Sequence, residues 1–144
     1  MKMYTIGFTK KHARTFFGLL RASGAERLVD VRLNNVSQLA GFAKRDDLSF
    51  FLEHICGMGY HHELQLAPTK EMLDAYKKYG ARWDDYERRF LNLMAERRIE
   101  DRVPPALLDN AVLLCSEATA HHCHRRLVAE YLASHWGEVT VEHL

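Results

Sequence analysis

The sequence of 144 residues is 47% hydrophobic and 27% charged, a composition typical of a globular domain with its own core. Its formal net charge of +1 excludes a general electrostatic attraction to polyanions, and no apolar run approaches the roughly 20 residues of a membrane helix. Three cysteines and no apolar signal region favour a reducing cytoplasm over a disulfide-stabilised secreted protein. We therefore expect one soluble, cytoplasmic domain over residues 1–144, with no membrane partner.

Strand and helix patterns alternate in the first third of the chain. Short β-favouring runs at 3–6 and 28–31 predict two strands. Between them, Thr9 is predicted to cap a helix that stops at Gly24. The polar segment 33–45 has no clear period and predicts a long loop.

The next segment predicts one helix and one short strand. Asp46 or Asp47 can cap a helix that runs to about Cys56, with Ile55 on its buried face. A short strand is predicted at 60–63.

The second half of the chain starts with a helical insert at about 69–100. Thr69 is its predicted N-cap, and two helical patterns follow. The continuous apolar run 111–114 predicts a strand buried on both faces, and 139–144 predicts a final strand. Strands separated by helices indicate an α/β fold: one mostly parallel sheet with helices on both faces, in a Rossmann-like three-layer arrangement.

Candidate ligand-binding residues follow the predicted strands. In such sheets ligands bind beyond the carboxyl ends of the strands, where Thr9, Arg32, Glu117 and Cys123 all fall. These side chains are therefore predicted to converge on one edge.

The helix that begins near His122 starts with basic residues, although acidic residues are favoured at that end. A bound anion would compensate, held by backbone N–H groups and by Arg125 or Arg126. We predict Arg32, Arg125 and Thr9 as anion-binding residues.

Arg32 has a second interpretation. A salt bridge to Asp30 or Glu117 would hold the following loop in place without any ligand, since buried arginines usually have a carboxylate partner. Both interpretations are compatible with the sequence.

The candidate catalytic residues are Cys123, Glu117 and His124. Basic neighbours at a helix start should lower the pKa of the Cys123 thiol and make a thiolate nucleophile, with Glu117 or His124 as acid or base. A purely structural Cys123 is the alternative. Cys115 and Cys56 close apolar runs and are predicted packing residues.

Neither a C-x-x-C nor an H-x-x-x-H pair is present, so the spacing predicts no bound metal and no cofactor. A thiol or metal site around Cys123 is the alternative. The aromatic residues of the insert, Trp83, Tyr86 and Phe90, have helical spacing and are predicted to be core.

Five motifs resemble the family of domain of unknown function 488 and span nearly the whole chain. They are Thr5-Ile6-Gly7, Asp30-Val31-Arg32, Gly59-Tyr60, Leu113-Leu114-Cys115-Ser116-Glu117 and Cys123-His124-Arg125-Arg126. Asn35 departs from the family pattern, which commonly has proline there. The resemblance implies a compact α/β fold with a parallel sheet and assigns no activity to the motif residues.

Two classes of function remain open. In the first, the protein recognises a phosphate-bearing small molecule or a nucleic-acid end, and acts on it as an enzyme or sensor. In the second, it is a non-catalytic binding module for a protein or nucleic-acid partner. The sequence sets neither the substrate nor the oligomeric state.

Overall fold

The computed structural model describes residues 1–36 and 40–144. Residues 37–39 of the predicted loop 33–45 lie outside this description. The described chain contains five strands: β1 (Lys2–Gly7), β2 (Arg27–Asp30), β3 (Gly59–His62), β4 (Ala111–Cys115) and β5 (Thr140–His143). They form one sheet in the order β3-β2-β4-β1-β5, and every pair of neighbours is parallel.

Seven α-helices lie in the same described ranges. They are α1 (Ala13–Ser23), α2 (Arg45–Phe51), α3 (Lys70–Lys77), α4 (Trp83–Arg97), α5 (Ile99–Arg102), α6 (Pro105–Leu108) and α7 (His124–Trp136). Helices α1 and α2 pack on one face of the sheet, and α3 to α7 pack on the other. The predicted three-layer α/β fold is confirmed. Within the described ranges, no helix combines the length and apolarity needed to cross a bilayer.

Strand β4 lies at the centre of the sheet, and all five of its residues are buried because helices cover both faces. Successive side chains of a strand point to opposite faces. Val112 and Leu114 therefore join the core under α1 and α2, whereas Leu113 and Cys115 join the core under α4 and α7. This alternation places the Cys115 thiol on the α7 face.

Two of the predicted helix starts have different outcomes. Thr69 is confirmed as the N-cap of α3, since its Oγ1 accepts a hydrogen bond from the Met72 N–H at 3.2 Å. Thr9 is wrong as the cap of α1, because the helix begins at Ala13 after His12.

The predicted start of α2 is also wrong. Lys44 is its N-cap, and Asp46 and Asp47 lie in the first turn, where their charge complements the helix dipole. The helix then changes to one π-helical turn at Leu52–Cys56. This turn breaks the α-helical period, so Ile55 is exposed rather than on the predicted buried face.

Gly7 ends β1 directly beneath the loop that connects β4 to α7. A Cβ atom at this position would overlap the Glu117 carbonyl oxygen and lie 2.8 Å from Arg125 Nη1. Glycine is required here because the loop backbone occupies the space of a side chain.

We predict that Gly7→Ala lowers the free energy of unfolding by about 3 kcal/mol, because the added methyl group must displace backbone. The matched control is Gly18→Ala in α1, where a Cβ meets no atom within 4 Å. The control should gain about 0.5–1 kcal/mol from the higher helix propensity of alanine. Urea denaturation followed by circular dichroism measures both, and equal stability of the two variants would contradict the close approach.

Candidate functional site

A pocket of about 210 Å³ opens at the carboxyl edge of the sheet. The loop after β4 leads to α7 on one face, whereas β1 and β2 lead to α1 and α2 on the other, and this divergence creates a crevice. Arg32, Cys115, Cys123 and His124 line the inner part of the pocket, and aromatic residues of α3 and α4 form a wall. The predicted convergence at this edge therefore holds for most of the named residues.

Arg32 forms a buried ion pair with Asp30. Its Nε and Nη2 atoms donate to the two carboxylate oxygens at 2.9 and 2.8 Å, and Nη2 also donates to the Ala43 carbonyl at 2.7 Å. The side chain of Asp30 is fully buried and that of Arg32 is 5% exposed. Among the described residues, no partner bonds the buried Arg32 Nη1 atom.

A polar network holds this ion pair in one orientation. The Tyr60 hydroxyl donates to Asp30 at 2.6 Å and accepts from the Asn35 amide at 3.1 Å. The same amide lies 3.1 Å from His62 Nδ1, and His62 Nε2 lies 2.7 Å from the Arg32 carbonyl. Burial and the neighbouring Asp30 charge raise the pKa of Tyr60, so the hydroxyl keeps its proton as a donor. Asn35 thus has a bonding role at the position where the resembled family commonly has proline.

Arg125 and Thr9 do not line the pocket. Arg125 is 1% exposed and donates through Nη1 to the Glu117 carbonyl at 2.7 Å, with Nε 3.4 Å from Thr5 Oγ1. Thr9 is exposed, and its N–H donates to the Ser116 carbonyl. Of the three residues predicted to bind an anion, the structure brings only Arg32 to the pocket.

The start of α7 lies in the pocket wall. Cys123 is its N-cap residue, it provides no side-chain capping bond, and the first turn contains no acidic residue. The unsatisfied N–H groups and positive dipole end of this helix therefore have no acidic counterpart on α7 itself.

His124 is held in one orientation against Cys115. Its Nε2 lies 2.7 Å from the Val31 carbonyl, which can only accept, so Nε2 carries the proton. The Cys115 sulfur lies 3.4 Å from Nδ1 and 3.7 Å from Nε2, so it packs over the imidazole ring and not along the Nδ1 lone pair. A thiol and an oriented imidazole are the groups of a nucleophile–base pair or of a metal site.

The expected lowering of the Cys123 pKa is wrong. Burial, a hydrogen bond to Cys115 and the charge of Cys115 raise the pKa of Cys123 well above its ordinary value. Burial opposes ionisation of Cys115 too, but the Cys123 hydrogen bond, the Ser116 backbone N–H and the Arg125 charge lower its pKa. Of the two thiols, Cys115 is therefore the one that ionises at lower pH.

The rim and the aromatic wall complete the pocket. Lys77 forms an ion pair with Glu117, and although burial opposes its charge, this hydrogen bond raises the pKa of Lys77. Tyr86 is buried, as predicted for core, but Trp83 is only partly buried and lines the pocket, stacked 4.8 Å from the ring of His122.

The residues that were not predicted as site residues include Tyr60, Asn35 and Lys77, and also Cys115 and Trp83, which were predicted as packing residues. Tyr60 is separated from Asp30 by a complete crossover, and only the pairing of β2 with β3 brings the two together. Lys77, at the end of α3, carries no sequence signal beyond its charge.

The sheet order and the edge pocket define a Rossmann-like α/β protein with its candidate site at the point where strand connections diverge. Residues 12–132 match the model of the family described as "Domain of unknown function DUF488", and the chain belongs to this family. No curated protein matches the chain. No solved structure matches it.

We predict that Asp30→Asn lowers the free energy of unfolding by about 3–5 kcal/mol, because it leaves the buried Arg32 charge uncompensated. Asp46→Asn is the control, since Arg45 and Asp46 form an exposed pair that contributes at most about 1 kcal/mol. Chemical denaturation of both variants tests this prediction. Comparable losses in the two would contradict a special role for the buried pair.

We also predict that Cys115 is alkylated at lower pH than Cys123. The pKa of Cys115 is lowered and that of Cys123 is raised, so Cys115 forms its thiolate at lower pH than Cys123 does. Chelator-treated native protein would be exposed to a small haloacetamide over a pH series, with mass-spectrometric mapping. Cys56, whose pKa burial raises, is the internal reference. Labelling of Cys123 before Cys115 would reverse the assignment.

Proposed function

We propose that the pocket binds a small molecule that carries a phosphate or a similar anionic group. The observation that carries this proposal is the buried Arg32 Nη1 atom, which has no hydrogen-bond partner among the described residues. A buried N–H of a charged group without an acceptor costs free energy, and an oxyanion supplies the missing acceptor. Arg32 itself lines the pocket.

The start of α7 supports the same ligand class. Its backbone N–H groups and dipole favour negative charge, and its first turn offers no acidic side chain in competition. Together with Arg32, it provides two independent anion-favouring groups in the same pocket.

The charge balance favours a single anionic group over a polyanion. Asp30 pairs with Arg32, and Glu117 pairs with Lys77, so these four charges cancel and the pocket has no large positive field. Recognition then depends on the N–H groups of Arg32 Nη1 and on the helix end rather than on general attraction.

The aromatic wall supports a planar group next to the anion. Trp83 is partly buried and stacks with His122, and Tyr76 and Tyr86 continue the wall. Stacking on such side chains contributes roughly 1–3 kcal/mol per nucleic-acid base. We therefore propose a nucleotide or a nucleic-acid end as the ligand. Glu117, Cys123 and His124 line the same pocket, and we propose them as the catalytic groups for any reaction of the bound ligand.

The test is a calorimetric and thermal-shift titration with inorganic phosphate, a nucleoside and the corresponding nucleoside monophosphate. The nucleotide should raise the melting temperature most, since a ligand that binds only the folded state stabilises it by mass action. Arg32→Lys keeps a cation for Asp30 but removes the Nη1 donor, and it should weaken nucleotide binding roughly 10- to 100-fold, as expected for loss of a hydrogen bond to a charged group.

Two further variants sharpen the result. Trp83→Leu should weaken nucleotide binding and leave inorganic phosphate binding unchanged. Arg27→Lys is the control, since Arg27 bonds backbone carbonyls of residues 106, 107 and 109, far from the carboxyl edge. No binding of any phosphate compound to the folded wild-type protein, or equal loss in Arg27→Lys and Arg32→Lys, would overturn the proposal.

A further inference from the structure

Cys115, Cys123 and His124 form a cluster of three metal-ligating side chains. Their ligand atoms all lie within 4.8 Å of one another, and all three residues are buried. They also line the pocket, so one side of the cluster is accessible. We propose that this cluster binds one thiophilic divalent metal ion, with zinc as the best match, and leaves a fourth coordination position open to the pocket.

The spacing of the donor atoms fits tetrahedral coordination. Zinc bonds of about 2.3 Å to sulfur and 2.0–2.1 Å to nitrogen give a sulfur–nitrogen edge of about 3.6 Å in a tetrahedron. The Cys115 Sγ to His124 Nδ1 distance is 3.4 Å. Because the same sulfur lies 3.7 Å from Nε2, it sits over the ring, and a metal ion bound by both residues requires a rotation of the imidazole.

The tautomer of His124 is that of a metal ligand. Histidine ligands generally donate their second ring N–H to a carbonyl or carboxylate, which fixes the tautomer that coordinates. Here Nε2 donates to the Val31 carbonyl at 2.7 Å, which leaves Nδ1 as the unprotonated nitrogen of the neutral ring. The backbone has therefore already selected the coordinating nitrogen.

The chemistry of the donor set also fits. Two thiolates and one neutral imidazole balance the charge of Zn²⁺, and soft sulfur donors select zinc over magnesium or calcium. Three protein ligands with an open fourth position are the arrangement of reactive rather than purely structural zinc sites.

The sequence spacing predicted no metal because Cys115 and Cys123 are eight positions apart and no paired motif is present. The fold nevertheless brings the two thiols close together. Cys115 ends a strand and Cys123 precedes a helix, so the connecting loop returns the second thiol to the first.

The test is a titration of chelator-treated full-length protein with Zn²⁺ against a chromophoric competitor, and with Co²⁺ as a spectroscopic probe. We expect one metal ion per chain and the thiolate-to-cobalt charge-transfer and visible bands of a tetrahedral sulfur site. Cys123→Ser and His124→Gln should each weaken zinc binding by more than the roughly 10- to 100-fold cost of losing a second-shell partner. Cys56→Ser, which changes the cysteine on the other face of the sheet, should keep wild-type affinity.

A folded wild-type protein that competes for no zinc and gives no cobalt–thiolate spectrum would overturn the inference. The same holds if Cys56→Ser loses as much affinity as Cys123→Ser. If Cys123→Ser and His124→Gln fail to fold, two measurements on the wild-type protein test the inference instead. These are the cobalt spectrum and the protection of Cys115 and Cys123 from alkylation by the bound metal ion. The titrations contain no phosphate, so failure of the anion proposal would leave their outcome unaffected.

Discussion

The geometry of the pocket depends on one buried cation, Arg125. Its guanidinium group holds the carbonyl of Glu117 against the end of β1, in the space that the absent side chain of Gly7 leaves free. In the described part of the chain, Arg125 has no carboxylate in an ion pair, so the Glu117 carbonyl and the Thr5 hydroxyl compensate its charge. Movement of the loop from β4 to α7 would therefore leave the Arg125 guanidinium either exposed to solvent or buried without its hydrogen-bond acceptors.

The two arginines of the edge have different tasks. Arg125 holds protein backbone, whereas Arg32 is itself held by Asp30 and the Ala43 carbonyl, and its Nη1 atom has no partner among the described residues. Tyr60 and the polar network behind it hold Asp30 in place, and Asp30 in turn holds Arg32. The Arg32 side chain is therefore confined to one rotamer before any ligand binds. Such preorganisation lowers the entropic cost of binding.

Periodicity predicted the strands, the main helices and the parallel sheet, and topology then predicted that Arg32 and Cys123 would meet. The sequence could not show how deeply Cys123 is buried. Its position at a helix start among basic residues predicted a lowered thiol pKa, but burial and the neighbouring Cys115 raise that pKa instead. Nor could local patterns show the π-helical turn that exposes Ile55. Long-range contacts decide such features, because the residues concerned are neighbours only after the strands have paired.

The strand order has a consequence for how the chain acquires its fold during synthesis. Strand β1 lies between β4 and β5, so it gains both of its neighbours only from residues that are synthesised more than 100 positions later. Pairings between such distant segments carry a large loop-closure cost and slow folding. During synthesis β1 therefore stays unpaired on both edges until β4 has been made, and on one edge until β5 has been made.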